Sequence, residues 1–146
     1  MKLKQLSLFL ENKPGALSAP VKLLAGAKIN ILTLSIAEAR QYGILRLIVH
    51  DWAAARKLLE KNGLVVKVTD VLAIEVSARP GGLAEVLTVI EDTGINLEYM
   101  YAFPLKHDSK GFFVFRFDDP DKAVGVLQKS KIKVVGNAEL FKRLEG

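Results

Sequence analysis

Two short segments hold the residue types best suited to binding chemistry: Asn12-Lys13-Pro14-Gly15-Ala16-Leu17 and Ala78-Arg79-Pro80-Gly81-Gly82-Leu83. Each follows an alternating apolar run and opens a stretch of helical spacing. The first N–H groups of a helix lack intrahelical acceptors, and the helix dipole adds positive potential, so such a turn suits a carboxylate or a phosphate. Gly15 and Gly81 carry no Cβ, which lets a ligand approach the backbone. A lone Pro-Gly is only a turn signal. Here it recurs at one place in a repeat, and Asn30 and Asn96 recur with it, in Ile29-Asn30-Ile31 and Ile95-Asn96-Leu97. Asn is disfavoured inside a strand, yet its amide supplies both a donor and an acceptor. A carboxylate-binding turn with a nearby amide fits a free amino acid.

Groups that could catalyse are scarce. The chain has no Cys, which excludes a disulfide framework, a thiolate nucleophile and a Cys-based zinc site. His50-Asp51 and His107-Asp108 resemble base or metal pairs, but they do not coincide in the repeat, because His50 matches Asp118. Asp51 has a sufficient role as a helix cap, and His107 falls in a polar turn. Ser7, Ser18, Ser35 and Ser77 lack a nucleophile-elbow context. Asp118, Asp119 and Asp121 suit capping and the helix dipole better than Mg²⁺. No catalytic residue, metal or cofactor is expected.

Composition agrees with a folded, non-membrane protein. Half of the 146 residues are hydrophobic and 25% are charged, which is ordinary for a globular domain and wrong for disorder. No apolar run approaches the ~18–20 residues of a membrane span. The start, MKLKQLSLFLEN, lacks the apolar core and cleavage site of a signal peptide, so a cytoplasmic protein is expected. The net charge of +5 is uneven: residues 1–69 hold 11 Lys/Arg against 4 Asp/Glu, and residues 70–146 hold 10 against 12. The positive residues are scattered singly, which reads as solvated helix faces rather than a nucleic-acid tract.

The elements that position the two turns come from an internal repeat. Pro14-Gly15-Ala16-Leu17 falls on Pro80-Gly81-Gly82-Leu83, and Leu6, Leu8 and Leu10 fall on Leu72, Ile74 and Val76. Further on, Gly43, Asp51, Ala55 and Leu59 fall on Gly111, Asp119, Ala123 and Leu127, so the second copy carries two extra residues, expected in a turn. In each copy a period-two strand is followed by Pro-Gly and a helical stripe: Leu17, Val21 and Leu24, or Leu83, Leu87 and Ile90. Ser18 is expected to cap the first helix, since Pro20 is tolerated only near its start. Strands over Ile29–Ala39 and Ile95–Leu105 follow, then turns (Arg40–Gly43, Lys106–Gly111), then strands Ile44–His50 and Phe112–Asp118. Asp51 and Asp119 are expected N-caps, with Pro120 at the first helical position, and Asn62-Gly63 ends the second helix. Val65–Val68 and Ile132–Val135 close the copies, and Ala138–Leu144 has room for one or two helical turns. Each copy therefore reads βαββαβ, in an α+β fold with domains 1–69 and 70–146. The antiparallel sheets are expected side by side as one, with all four helices on one face and no helix on the other. That apolar open face predicts at least a homodimer.

With those residues in view, the chain resembles the ACT family of small regulatory modules from amino-acid metabolism. Glu11 to Leu17 followed by Ile29-Asn30-Ile31 carries the resemblance most fully, and Arg79 to Leu83 with Ile95-Asn96-Leu97 carries it less so. The resemblance covers nearly the whole chain and implies two ferredoxin-like units in a free-standing tandem protein. It implies a non-enzymatic sensor that binds a free amino acid between ACT domains and acts on a metabolic enzyme or regulator. The implied ligand residues are Asn12, Lys13, Pro14, Gly15, Ala16 and Leu17 with Asn96 and Leu97, and Arg79, Pro80, Gly81, Gly82 and Leu83 with Asn30 and Ile31. Ala78 stands where the second loop would need its Asn, so one strong site per chain is expected, the one built on Asn12.

Two other readings stay open. The RNA-recognition motif is also βαββαβ, and Lys110-Gly111-Phe112-Phe113-Val114-Phe115-Arg116-Phe117 is similar to its aromatic strand signature. The small residue after Phe112 is missing, however, and neither Val71–Val76 nor Ile44–Val49 carries an aromatic to complete a stacking face. Packing of Phe113, Phe115 and Phe117 on one buried face is the alternative role, and nucleic acid is not the expected partner. The third reading is a structural regulatory subunit with decayed ligand sites.

Overall fold

A computed structural model describes residues 1–107 and 109–145. The chain divides into two compact units, Lys4–Thr69 and Asp70–Gly146, the latter joined by Met1–Leu3. The elements run β1 (Leu3–Glu11), α1 (Ser18–Gly26), β2 (Ile31–Ala39), β3 (Tyr42–Val49), α2 (Trp52–Lys61), β4 (Val66–Ser77), α3 (Gly82–Glu91), β5 (Leu97–His107), β6 (Lys110–Phe117), α4 (Pro120–Lys129), β7 (Val134–Val135) and α5 (Asn137–Glu145). The βαββαβ pattern is thus repeated twice. β4 contributes residues 66–69 to the first unit and 70–77 to the second.

In the first unit β3 pairs antiparallel with both β1 and β2. Alternation selects the faces. Leu6, Leu8 and Leu10 of β1 and Leu45, Leu47 and Val49 of β3 share a core with Leu24 of α1, Ala55 and Leu59 of α2, and Val66. Both helices therefore bury their stripes on one face. Gln5 and Ser7 alternate to the opposite face, where both side chains are buried and the Gln5 amide donates to the Ser7 hydroxyl at 3.2 Å.

The second unit repeats this arrangement with ladder order β5-β6-β4-β7, all antiparallel. Leu72, Ile74, Val76, Phe115 and Phe117 form its core with Val86 and Ile90 of α3 and Ala123 and Leu127 of α4. Phe115 and Phe117 stack at 5.7 Å between centroids. At the unit's other end Lys2 pairs with Asp121 at 3.0 Å, a hydrogen bond that raises the lysine pKa above its usual value.

Several local expectations hold. Asp51 accepts from the Ala54 N–H, and Asp119 accepts from the Lys122 N–H with Pro120 at the start of α4. Asn62 is the C-cap of α2, followed by Gly63 at φ +83°. Others need correction. Ser18 is not a cap: Leu17 holds that position with helical dihedrals and no side-chain bond, because the Pro-Gly turn already feeds the chain into the helix. The two extra residues of the second copy do not lie in a turn. Ala102 and Lys106 of β5 face Phe113 and Gly111 of β6, so four steps on one strand span two on the other. Pro104 has no N–H to give the ladder, and a bulge on this terminal strand accommodates it. His107 closes β5 rather than lying in a turn, and Asp108 is outside the described residues.

The expectation that no helix covers the second sheet face fails for the second unit. Glu75 and Phe112 are register partners on the face away from α3 and α4. Over that face lies α5, a full nine-residue helix with Leu140 completely buried. Its Arg143 guanidinium sits 5.1 Å from the Phe112 ring centroid, a cation–π contact, and bonds Glu139 at 2.7 Å. No helix among the described residues is long and apolar enough to cross a membrane.

The Lys133 ammonium, bonded to Glu139, holds that carboxyl below its ordinary pKa of 4.5. A lowered folded-state pKa adds stability above the ordinary value and loses it as the pH falls through the lowered value. Hydrogen-exchange protection of α5 should therefore fall as the pH drops below the ordinary value of 4.5, by a small factor because the pair is exposed. Leu140→Ala should cost about 2–5 kcal/mol in a denaturant titration.

Candidate functional site

The two Pro-Gly turns lead from a strand into a helix in the same way. Gly15 sits at φ +85° and Gly81 at φ +88°, the left-handed region that glycine enters at little cost. Each turn closes with a backbone bond, Ala16 N–H to Lys13 C=O and Gly82 N–H to Arg79 C=O. The turns then differ. After Gly81 the helix starts at once, whereas α1 begins three residues after Gly15. The tighter second turn brings Gly82 so close to β4 that a Cβ there would lie 2.0 Å from the Ser77 carbonyl oxygen.

The helix starts fall into two kinds. α2 and α4 have an Asp carboxylate bonded to the first-turn amides. α1 and α3, which follow the Pro-Gly turns, have no side-chain cap. α1 also has no acidic residue in its first turn, while α3 has Glu85, which is paired with Arg79. The start of α1 thus has neither a capping side chain nor an acidic residue, whereas the acid at the start of α3 is paired with an arginine. Arg79, the expected partner of a ligand carboxylate, is ion-paired with Glu85 on the surface.

Asn12 is exposed and fixes its loop to the β2–β3 hairpin. Its backbone N–H donates to the Gln41 C=O at 2.8 Å, and its side-chain Nδ2 donates to the Arg40 C=O at 3.2 Å. Ala78 keeps the backbone link, to Ser109 C=O at 2.8 Å, and lacks the side-chain one. Arg40, expected in a turn over Arg40–Gly43, sits at φ +58° in a two-residue hairpin loop between Ala39 and Tyr42. Lys13 pairs with Glu11 at 3.0 Å beside the turn. Pro14 and Pro80 are exposed with their turns, and Leu17 and Leu83 are each more than a third exposed.

Asn30 and Asn96 are not inside strands but immediately before them, so strand propensity does not bear on them. Both have a backbone role. The Asn30 C=O accepts from the His50 N–H at 3.3 Å. In the matching place the Asn96 C=O accepts from the Asp118 N–H, while the Asn96 N–H donates to the Asp118 carboxylate at 2.9 Å. Within a unit these residues do not join the Pro-Gly turn. Turn and Asn lie at opposite ends of α1 or α3, about 13–15 Å of helix apart. Asn30 and Ile31 instead edge a cavity with Val21 and Lys28 at the far end of α1, and Leu97 is half-buried beside Asn96.

The remaining candidates are absorbed by structure. Phe112, Phe115 and Phe117 are at most 1% exposed and Phe113 is partly buried against the same core, so the aromatics of the strand that resembles an RNA-binding signature serve packing. Asp118 and Asp119 bond backbone amides and Asp121 pairs with Lys2. Among the described residues no group of His, Asp and Glu is placed to hold a metal.

The chain matches the family model of an ACT domain pair over residues 1–144. Among solved structures it is similar to protein BT0572 from Bacteroides thetaiotaomicron, with 40% identity over 97% of each chain and a TM-score of 0.90. Its fold is also that of the regulatory subunit of aspartate kinase from Thermus thermophilus in its ligand-free form, at 14% identity, 86% and 91% coverage and a TM-score of 0.63. The subunit from Thermus flavus is alike, at 15% identity, 88% and 92% coverage and a TM-score of 0.60. No curated protein matches the chain.

Gly82→Ala should destabilise the protein by about 1–3 kcal/mol, because its Cβ meets backbone that cannot rotate away. Gly15→Ala, with open space around it, should cost about 1–2 kcal/mol from its positive φ alone. Thermal melts of the two variants check the pair, and a Gly82→Ala melt unchanged from wild type would contradict the tight turn.

Proposed function

This chain belongs to the ACT domain pair family, and from that membership we propose that it is a non-enzymatic regulatory protein that binds a free α-amino acid. The observation that carries the reading is the bare start of α1. Its first-turn amides face no capping side chain and follow a glycine at positive φ, in the turn that begins at Asn12. A ligand carboxylate there replaces the missing cap, and the Asn12 Oδ1, unused by its bond to Arg40, accepts from the ligand ammonium. Since Asn30 and Asn96 stand a helix length from their own turns, either amide can complete such a site only from an ACT unit other than its own. Control of a metabolic enzyme or regulator suits a free-standing ACT pair, and a cytoplasmic location is part of the same proposal. Leu34 and Ile36, exposed on the terminal strand β2, support a homodimer.

The second turn, with Ala78 and an Arg79 held by Glu85, fits a decayed site, so one strong loop site per chain is proposed. In a thermal-shift screen of the twenty amino acids, at least one should raise the Tm, because it binds only the folded state. Asn12→Ala and Gly15→Val should each weaken that ligand about tenfold or more, and Asn30→Ala less. Full affinity in Asn12→Ala, or a response to single-stranded RNA in place of every amino acid, would contradict the reading.

A further inference from the structure

Between α1 and α2 the first unit carries a groove of about 650 Å³. Leu23, Leu58 and Leu64 line it and are only half-buried, and Ala19, Gly26 and Ala27 keep its α1 wall low. A Cβ on Gly26 would meet nothing within 4 Å. The rim is positive. Lys22 lines the groove, and Lys61 is the i+3 neighbour of Leu58 on α2. Both lysines are exposed and make no ion pair among the described residues. α1 holds no acidic residue, and the one acid of α2, Glu60, is bonded to Arg56 at 2.7 Å. The repeat does not keep this chemistry. Ala19, Lys22 and Gly26 fall on Glu85, Thr88 and Asp92. Ala54 and Ala27 fall on Lys122 and Thr93, and there the Lys122 ammonium donates to the Thr93 C=O at 2.9 Å, a bond that alanine cannot make.

α3 has the complementary character. Leu83 and Leu87 are each 36% exposed, and Glu91 follows at the same four-residue step, which makes one ridge of the helix. The helix contains no Lys or Arg. Glu91 and Asp92 stand at its C-terminal end, where the dipole is negative and favours cations. α2 and α4 have Lys61 and Lys129 in that place, and α3 has no basic residue there. Both acids are exposed and make no ion pair among the described residues.

We propose that α3 of one copy of this chain docks in the α1–α2 groove of another. Leu83 and Leu87 fill the space between Leu23, Leu58 and Leu64, and Lys22 and Lys61 supply the cations that Glu91 and Asp92 lack. Helix and groove agree in length, since α3 and α2 each have ten residues, about 15 Å. An apolar helix ridge seated in an apolar groove is a recurring mode of recognition. The two patches are unlike, so each copy offers a ridge and a groove, and growth stops only where a reciprocal pair or a ring closes. Neither the Asn12 turn nor β2 takes part, so the contact is separate from the proposed ligand site and from a homodimer through Leu34 and Ile36.

Sedimentation velocity of the full chain over a concentration series tests it. The wild type is expected to show concentration-dependent association that weakens as salt is raised. A groove variant, Lys22→Glu with Lys61→Glu, and a ridge variant, Glu91→Lys with Asp92→Lys, should each weaken that association about tenfold or more, because like charges then face each other. All four side chains are exposed, and circular dichroism checks that both variants fold. An equimolar mixture of the two should associate again, since the unaltered ridge of one meets the unaltered groove of the other. A homodimer through β2 persists in both variants. Association unchanged in either variant, or no association in the wild type, overturns the contact. Loss in the groove variant alone gives the groove another occupant and overturns the assignment of α3. Loss in both without recovery on mixing overturns the pairing of unlike patches.

Discussion

Strand alternation lets a βαββαβ unit bury two helical stripes on one sheet face only, and much of this molecule follows from what becomes of the other face. In each unit the even-numbered β1-type residues, Leu6, Leu8 and Leu10 or Leu72, Ile74 and Val76, meet both helices. The alternate residues then need a different solution. In the first unit Gln5 and Ser7 bond to each other. In the second, α5 brings Leu140 and Arg143 over Phe112 and Glu75. Such a face, once covered, demands that its charges be matched, and Glu75 has Lys110 at one oxygen and Arg143 at the other.

The proposed loop site rests on the same connectivity. Each unit has two strand-to-helix junctions, and the chemistry at the two differs. An Asp carboxylate closes the start of α2 and α4 from within the chain. The starts of α1 and α3 are reached through a Pro-Gly turn that supplies no carboxylate. Helices whose amides are satisfied internally have nothing to offer a ligand, whereas bare ones do. Of the two, α3 has an Arg79–Glu85 ion pair at its start, and α1, which has none, is the one the proposal assigns to an external acid.

Much of this was legible in the residues, for physical reasons. Period-two and helical spacings reported the burial pattern directly, and the Asp caps and Gly63 were readable because capping is local chemistry. The repeat made the family recognisable. Misreadings arose where distant partners decide. Ser18 has a cap-forming side chain, but the turn before it leaves Leu17 in the cap position. Asn30 and Asn96 look like strand residues, yet backbone bonds to His50 and Asp118 place them ahead of the strands. The insertion reads as a longer turn because hairpin loops usually absorb length, while Pro104 makes a strand bulge the better place. The pairing of Glu75 was not read from the sequence, because it depends on register with β6 and on α5, which no local pattern carries.

Amide chemical shifts bear most directly on whether the bare start of α1 receives an amino acid. A ¹⁵N-labelled chain titrated with the amino acid that stabilises it most should show saturable movement of the Gly15, Ala16, Leu17 and Ser18 amides, lost in Asn12→Ala. Amides of that turn that stay fixed while the ligand saturates its stabilising effect would contradict it.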